Sequence, residues 1–275
     1  MRWLVFFVAF SVLAQEDAIT VYERLVRASP ANVEMRMDLC VALFSAKRYR
    51  EAMDQAQEVL RRRPGLWKAE LFLGASHVEL GEFEAALDPL RRVIAAQPTD
   101  RNARAMLGKA LVGHADALAR NGRHADAAKD WREALRLTPG DAHLRSGLAW
   151  SLFKARDYAA ALPLIDEMIA ANPDTAEPQF LKGACLLNME RLEEDIPYLE
   201  KAVKSDPTML SAHAALGQSL LRTGKSEAAI PHLEAALPMD KDGGGHFQLF
   251  RAYTLAGHPD EARRAFEEYL RLANR

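Results

Sequence analysis

Only two of the 275 residues are cysteine, and neither charge sign prevails: 36 Lys and Arg stand against 38 Asp and Glu, a formal charge of −2. The balance excludes the basic footprint that nucleic acid requires. No Gly-rich phosphate loop, H-E-x-x-H, C-x-x-C or G-x-S-x-G occurs, so the residue patterns that carry phosphate, zinc, redox or acyl chemistry are missing and an enzyme is not expected. His114 with Asp116 and His124 with Asp126 fall short of the three or four convergent ligands that a metal needs, and read as charged surface. Glu193-Glu194-Asp195 reads as helix-start charge. No cofactor and no metal are expected.

Long apolar runs are absent with one exception. After Met1-Arg2, residues Trp3 to Leu13 are almost uninterrupted apolar, followed by Ala14. The run is about eleven residues, short of the roughly 20 that span a bilayer. Residues 1–14 therefore read as a signal peptide, removed before Gln15, and the chain as exported to the periplasm or the medium. An uncleaved N-terminal tether is the alternative, and no membrane span remains after cleavage.

What is present is periodic. Pro30, Pro64, Pro98, Pro139, Pro173 and Pro207 are spaced by 34, 34, 41, 34 and 34 residues. Ala18, Ala52, Ala86, Ala127, Ala161, Asp195, Ala229 and Ala262 follow the same beat, so one position is Ala in seven units of eight. A third series, Leu39, Leu73, Leu107, Leu148, Lys182, Leu216 and Leu249, is followed by Cys40, Gly74, Gly108, Ala149, Gly183, Gly217 and Phe250. A large side chain beside a small one lets two helices approach closely. Each unit holds two stretches of period near 3.6 separated by turns such as Leu80-Gly81, Asn121-Gly122 and Thr223-Gly224, which predicts two antiparallel helices per unit. Neither helix pair buries its apolar surface alone, so the units must stack.

These residues resemble the tetratricopeptide repeat family, whose 34-residue pattern runs L-G-x-x-Y, then A-x-x-x-F, then P. Leu73-Gly74 with His77, Leu216-Gly217 with Leu220, Ala127 with Trp131, Ala229 with Leu233 and Ala262 with Phe266 sit at the family's offsets. The chain departs where the family often has Trp, with Arg36, Glu70, Arg104, Arg145, Gln179, His213 and His246, and where Asp195 replaces the small Ala. The expected fold is all-α, a solenoid of stacked antiparallel helix pairs that the resemblance makes a right-handed superhelix. A single array over 15–275 is expected, with a half repeat at 15–30 and repeats at 31–66, 67–100, 101–141, 142–175, 176–209, 210–241 and 242–275. The third has a first helix extended by seven residues, whose added turns should project. Asp240 to Gly245 replaces the expected Pro and reads as a hinge. Cys40 and Cys185, four units apart, are expected to be free, buried thiols. Pro163, Pro197 and Pro231 are expected near the starts of second helices, where a missing N–H costs least.

Positions 2, 5, 9 and 12 of each first helix form a stripe opposite the packing positions, and the resemblance implies that it lines a concave groove. The stripe holds Met37, Leu71, Phe180 and Phe247 at position 5, Val41, Trp150 and Arg251 at position 9, and Phe44, Val78, Phe153, Leu187 and Leu221 at position 12. Trp150, Phe153, Phe180 and Phe247 are the expected anchors, although adjacent first helices also touch and bury part of such a stripe. No run of Lys, Asn and Arg spans neighbouring units, so charge-assisted capture of an acidic tail is not supported. The expectation is a non-enzymatic scaffold that binds an apolar or amphipathic protein segment, which analogy with the family sets in an envelope-assembly or secretion complex. The alternatives are an apolar small molecule or lipid in the same groove, or self-association through the last unit.

Overall fold

The computed structural model describes residues 18–274, so the signal peptide expected over 1–14 lies outside the described residues. These form fifteen α-helices and one short 3-10 turn, with no strand among them. The chain divides into two compact units, 1–144 and 145–275. The first holds α1 (18–28), the pairs α2 (Val33–Ser45) with α3 (Tyr49–Arg62) and α4 (Trp67–Glu79) with α5 (Phe83–Ala96), and then α6 (Arg101–Arg120) with α7 (His124–Leu137). Helix α8 (Ala142–Lys154) begins just before the division. The second unit continues with α9 (Tyr158–Ala171), α10 (Ala176–Asn188), α11 (Leu192–Ser205), α12 (Leu210–Arg222), α13 (Ser226–Ala236), α14 (Gly244–Ala256) and α15 (Pro259–Ala273). No helix among the described residues is long and apolar enough to cross a membrane.

Packing follows the periodic positions. Ala52, Ala86, Ala127, Ala161 and Ala229 are fully buried, as are Leu90 and Leu199 on the second helices. The small residues after the large ones are needed where helices touch. A Cβ added at Gly74 would meet Leu90 Cγ at 2.6 Å, and one at Gly183 would meet Leu199 Cγ at 2.5 Å. Cys40 and Cys185 are free and buried, and burial pushes each thiol up to about 12.

The turn inside each helix pair is set by one residue in the left-handed region. Glycine takes it at Gly81, Gly122, Gly224 and Gly257, whereas Lys47, Arg156 and Glu190 adopt it with φ near 61–62°. A Cβ in that region costs roughly 1–2 kcal/mol, so three of the seven turns hold their conformation against local preference, and the packed helices on either side supply the constraint.

The prolines differ from expectation. Pro163, Pro197 and Pro231 stand at the sixth position of α9, α11 and α13, and Pro89 at the seventh of α5. Each lies past the first turn and deprives the carbonyl four residues earlier of its helical donor. Those residues, Ala159, Glu193, Glu227 and Ala85, are all exposed, so solvent can reach the freed carbonyls, and the helices continue.

The position where the family often has Trp is a polar tie. Arg36 Nε donates to Pro30 O at 3.1 Å, Gln179 Nε2 to Pro173 O at 2.7 Å, and His213 Nε2 to Pro207 O at 3.1 Å. Glu70 reaches the second helix instead, accepting two bonds from Arg92 at 2.8 and 2.9 Å. One side chain thus stitches the turn preceding a repeat, or its second helix, to the first helix.

The seven added residues lengthen α6 at its start, where Ala103 and Leu107 are buried, so the added turns stay packed on one face and do not project free as expected. In an antiparallel pair, residues equally distant from the turn face each other. About Gly81 this opposes Glu70 and Arg92, and about Gly122 it opposes His114 and Asp130, whose Nδ1 and Oδ2 are 2.7 Å apart. Helix α7 keeps the usual 14 residues, so it lies against the C-terminal half of α6, where Ala115 and Leu118 are buried. Only the end of α7 reaches back, its Leu137 carbonyl accepting from Arg104 Nη2 at 3.2 Å. The start of α6 outruns α7, and a Cβ added at Gly108 meets nothing within 4 Å. Nor is 240–245 left untied: Asp240 Oδ2 accepts from the backbone N–H of His246 at 2.9 Å and lies 2.6 Å from its Nδ1.

Candidate protein-interaction surface

In the first unit the stripe is mostly structural. Met37 and Val78 are buried at 9% and 2% exposure, while Leu71 is half-buried. Val41 is 40% exposed. Phe44 is half-buried, with its ring edge-on to Tyr49 and Phe72 at 5.3 Å each.

The second unit brings aromatics together. Trp150 and Phe153, both half-buried on α8, have ring centroids 5.9 Å apart. Phe180 on α10 lies 6.1 Å from Trp150, and Tyr158 at the start of α9 lies 5.9 Å from Phe153. Phe180 is 7% exposed, so it supports Trp150 from beneath. The Trp150 indole N–H donates to Glu177 Oε1, which also accepts from Ser146 Oγ at 2.9 Å. The carboxylate therefore fixes the indole orientation from its polar edge. Lys154 Nζ stands 5.9 Å from both the Trp150 and the Phe153 centroids, at the limit of cation–π range.

The other residues of the stripe fall elsewhere. Leu187 and Leu221 are buried, at 5% and 4%. Phe247 packs against Tyr269 at 5.2 Å and Phe250 at 6.0 Å, within the last helix pair. Arg251 is exposed, and its Nη1 donates to Gln248 at 3.2 Å. Sequence reading omitted Ser146, Lys154 and Glu177. Glu177 occupies position 2 of its helix and so lay on the stripe, but a search for apolar residues passes over it. Lys154 follows Trp150 by four residues, which places it on the same face.

The surface is suited to holding an apolar group against two oriented rings with one cation at the rim. No group of three His, Cys, Asp or Glu side chains able to hold a metal occurs among the described residues.

Comparison with known proteins agrees with this architecture. A stretch of 87 residues is 29% identical to anaphase-promoting complex subunit 3 of Dictyostelium discoideum, covering 32% of this chain and 9% of that protein; the chain thus spans under a tenth of that relative. Among solved structures, MamA 41-end from Desulfovibrio magneticus RS-1 covers 63% of this chain and 94% of its own at 24% identity, with a TM-score of 0.49. A crystal structure of MamA covers 58% and 94% at 18% identity, with a TM-score of 0.50. At 18% identity the latter likeness is one of fold alone. A tetratricopeptide repeat model matches residues 16–66, 112–176, 147–210 and 196–246, more than half of the chain, and a second such model matches 43–110. The chain belongs to the tetratricopeptide repeat family, and its helix pairs form a protein-interaction scaffold.

Proposed function

We propose that the second unit docks an apolar or amphipathic segment of another protein on Trp150 and Phe153, and that the chain performs no chemistry of its own. The observation that carries this reading is the indole of Trp150, pinned by Glu177 on one side and by Phe180 beneath, with its ring partly open to solvent. Large aromatics held in a fixed orientation lose little entropy on binding and dominate interface energies. The apolar run at residues 3–13 supports an exported setting, and analogy with the family alone places it in an envelope-assembly or secretion complex.

The test is affinity capture from envelope extract with residues 15–275 and with the double variant Trp150→Ala, Phe153→Ala, helicity being measured in parallel. The variant is expected to keep its helices and lose the captured protein, since truncating a binding anchor costs about 2 kcal/mol or more, roughly 30-fold in affinity. Phe180 is left intact because truncating a buried Phe costs about 3–5 kcal/mol of stability and would confuse unfolding with loss of binding. Capture of the same protein at equal strength by the folded variant refutes the assignment. Retention of fatty acid or detergent in place of protein moves the reading to a lipid binder.

A further inference from the structure

Of the histidines, His77, His114, His246 and His258 each lie 2.6–3.0 Å from a carboxylate oxygen, and His143 lies edge-on to Trp131. One pair is different. His213 on α12 and His232 on α13 present Nδ1 to Nδ1 at 3.0 Å, their ring centroids 5.2 Å apart and their planes inclined by 37°. The Nε2–H of His213 is committed to Pro207 O at 3.1 Å, which fixes the tautomer and leaves the Nδ1 lone pair aimed at its neighbour. A ring nitrogen tied to a backbone carbonyl is the arrangement that orients metal-ligating imidazoles.

We propose that His213 and His232 form a two-imidazole site for a borderline divalent transition cation, of the Zn²⁺, Ni²⁺ or Cu²⁺ class, bridging the two helices of one repeat. The geometry carries the assignment. With metal–nitrogen bonds of about 2.0–2.1 Å, two cis ligands stand roughly 2.9 Å apart at a right angle and about 3.3 Å apart at a tetrahedral angle. The observed 3.0 Å lies between these values, so a small rotation of each ring admits the ion. In the metal-free protein, His232 Nδ1–H donates to His213 Nδ1. On binding, His232 moves that proton to Nε2, and both imidazoles coordinate as neutral ligands with no net proton released. His232 is half-buried. No group of three such donors occurs among the described residues, so water would complete the coordination.

The experiment is calorimetric titration of the full chain with ZnCl₂ and NiCl₂ at pH 7.5, against MgCl₂, with thermal unfolding followed in parallel. One equivalent of Zn²⁺ or Ni²⁺ is expected to bind and to raise the unfolding midpoint, reversibly with EDTA, while Mg²⁺ does neither. His213→Gln and His232→Gln are each expected to weaken binding by about tenfold or more. Glutamine at position 213 should fold, because Gln179 makes the same tie to Pro173 one repeat earlier, and circular dichroism checks this. Equal affinity in the folded variants, or no binding by wild type, overturns the site.

Discussion

Replacing Gly183 with alanine is expected to destabilise the protein by about 1–2 kcal/mol, whereas the same replacement at Gly108 stabilises it by about 0.5–1 kcal/mol. Both glycines follow the large residue of a first helix, and in an ideal 34-residue repeat they are equivalent. Alanine gains roughly 1 kcal/mol of helix propensity over glycine at either site. At Gly183 that gain is outweighed, because the new Cβ lies 2.5 and 2.6 Å from Leu199 Cγ and Cδ2 and 3.2 Å from the Asp195 carbonyl oxygen. Leu199 is fully buried and has nowhere to move. Gly108 stands seven residues further from its turn than Gly183 does, nothing lies within 4 Å, and the propensity gain stands alone. Urea unfolding of the two variants decides. Destabilisation at both positions would mean that α7 packs along the first half of α6 and that the displacement of this helix is wrong.

Asp195→Ala is expected to stabilise the chain by about 1–3 kcal/mol at neutral pH, an advantage that shrinks as the pH falls. Asp195 occupies the position that is alanine in every other unit, and it is fully buried. Its Oδ2 accepts from Ser219 Oγ at 2.7 Å, while Oδ1 has no hydrogen-bond partner. Burial pushes the carboxyl above the usual carboxylate range, against the opposing pull of the Ser219 hydroxyl and the charge of Arg222. A carboxyl whose folded value is raised favours the folded state in its protonated form. Wild type therefore gains stability as pH descends from the folded value toward the unfolded value of about 3.9, and alanine, which does not titrate, gains none of it. After the substitution, Ser219 can donate to the carbonyl four residues before it. The difference in unfolding free energy between variant and wild type, measured at pH 7 and near pH 4, checks this. A difference that is unchanged or grows on acidification contradicts it.

The repeat was legible because steric demands recur at fixed intervals. The buried Ala series, the large-small pairs and the prolines after second helices each answer one contact, and stacking repeats that contact. Other features were hidden because long-range packing overrides local preference there. Lys47, Arg156 and Glu190 occupy left-handed turns that sequence assigns to glycine, and the mid-helix prolines are tolerated because the residues whose carbonyls they orphan are exposed. Seven extra residues announced a longer α6, but which end would reach beyond α7 depended on α7 being anchored by its turn at Gly122.

The stripe of position 12 shows the same limit for the surface. Val78, Leu187 and Leu221 are buried there, whereas Phe44 and Phe153 are half-exposed. A side chain of ordinary length ends within the packing between neighbours, and a ring extends past it. Helical periodicity identifies the face of a residue, but its exposure depends on side-chain length and on the adjacent first helix. Glu177, which orients Trp150, could be placed on that face by the repeat period, yet its role emerges only from the contact.

The most direct measurement of the central claim leaves the packing nearly untouched. A photo-crosslinking phenylalanine analogue is placed at Phe153 in one protein and at Ala159, exposed near the start of α9, in another, and each is irradiated in envelope extract. Docking on the Trp150 surface predicts a crosslinked protein from position 153 that is absent from position 159. A crosslink from 159 with none from 153 would place the interaction away from the aromatic surface and contradict the assignment.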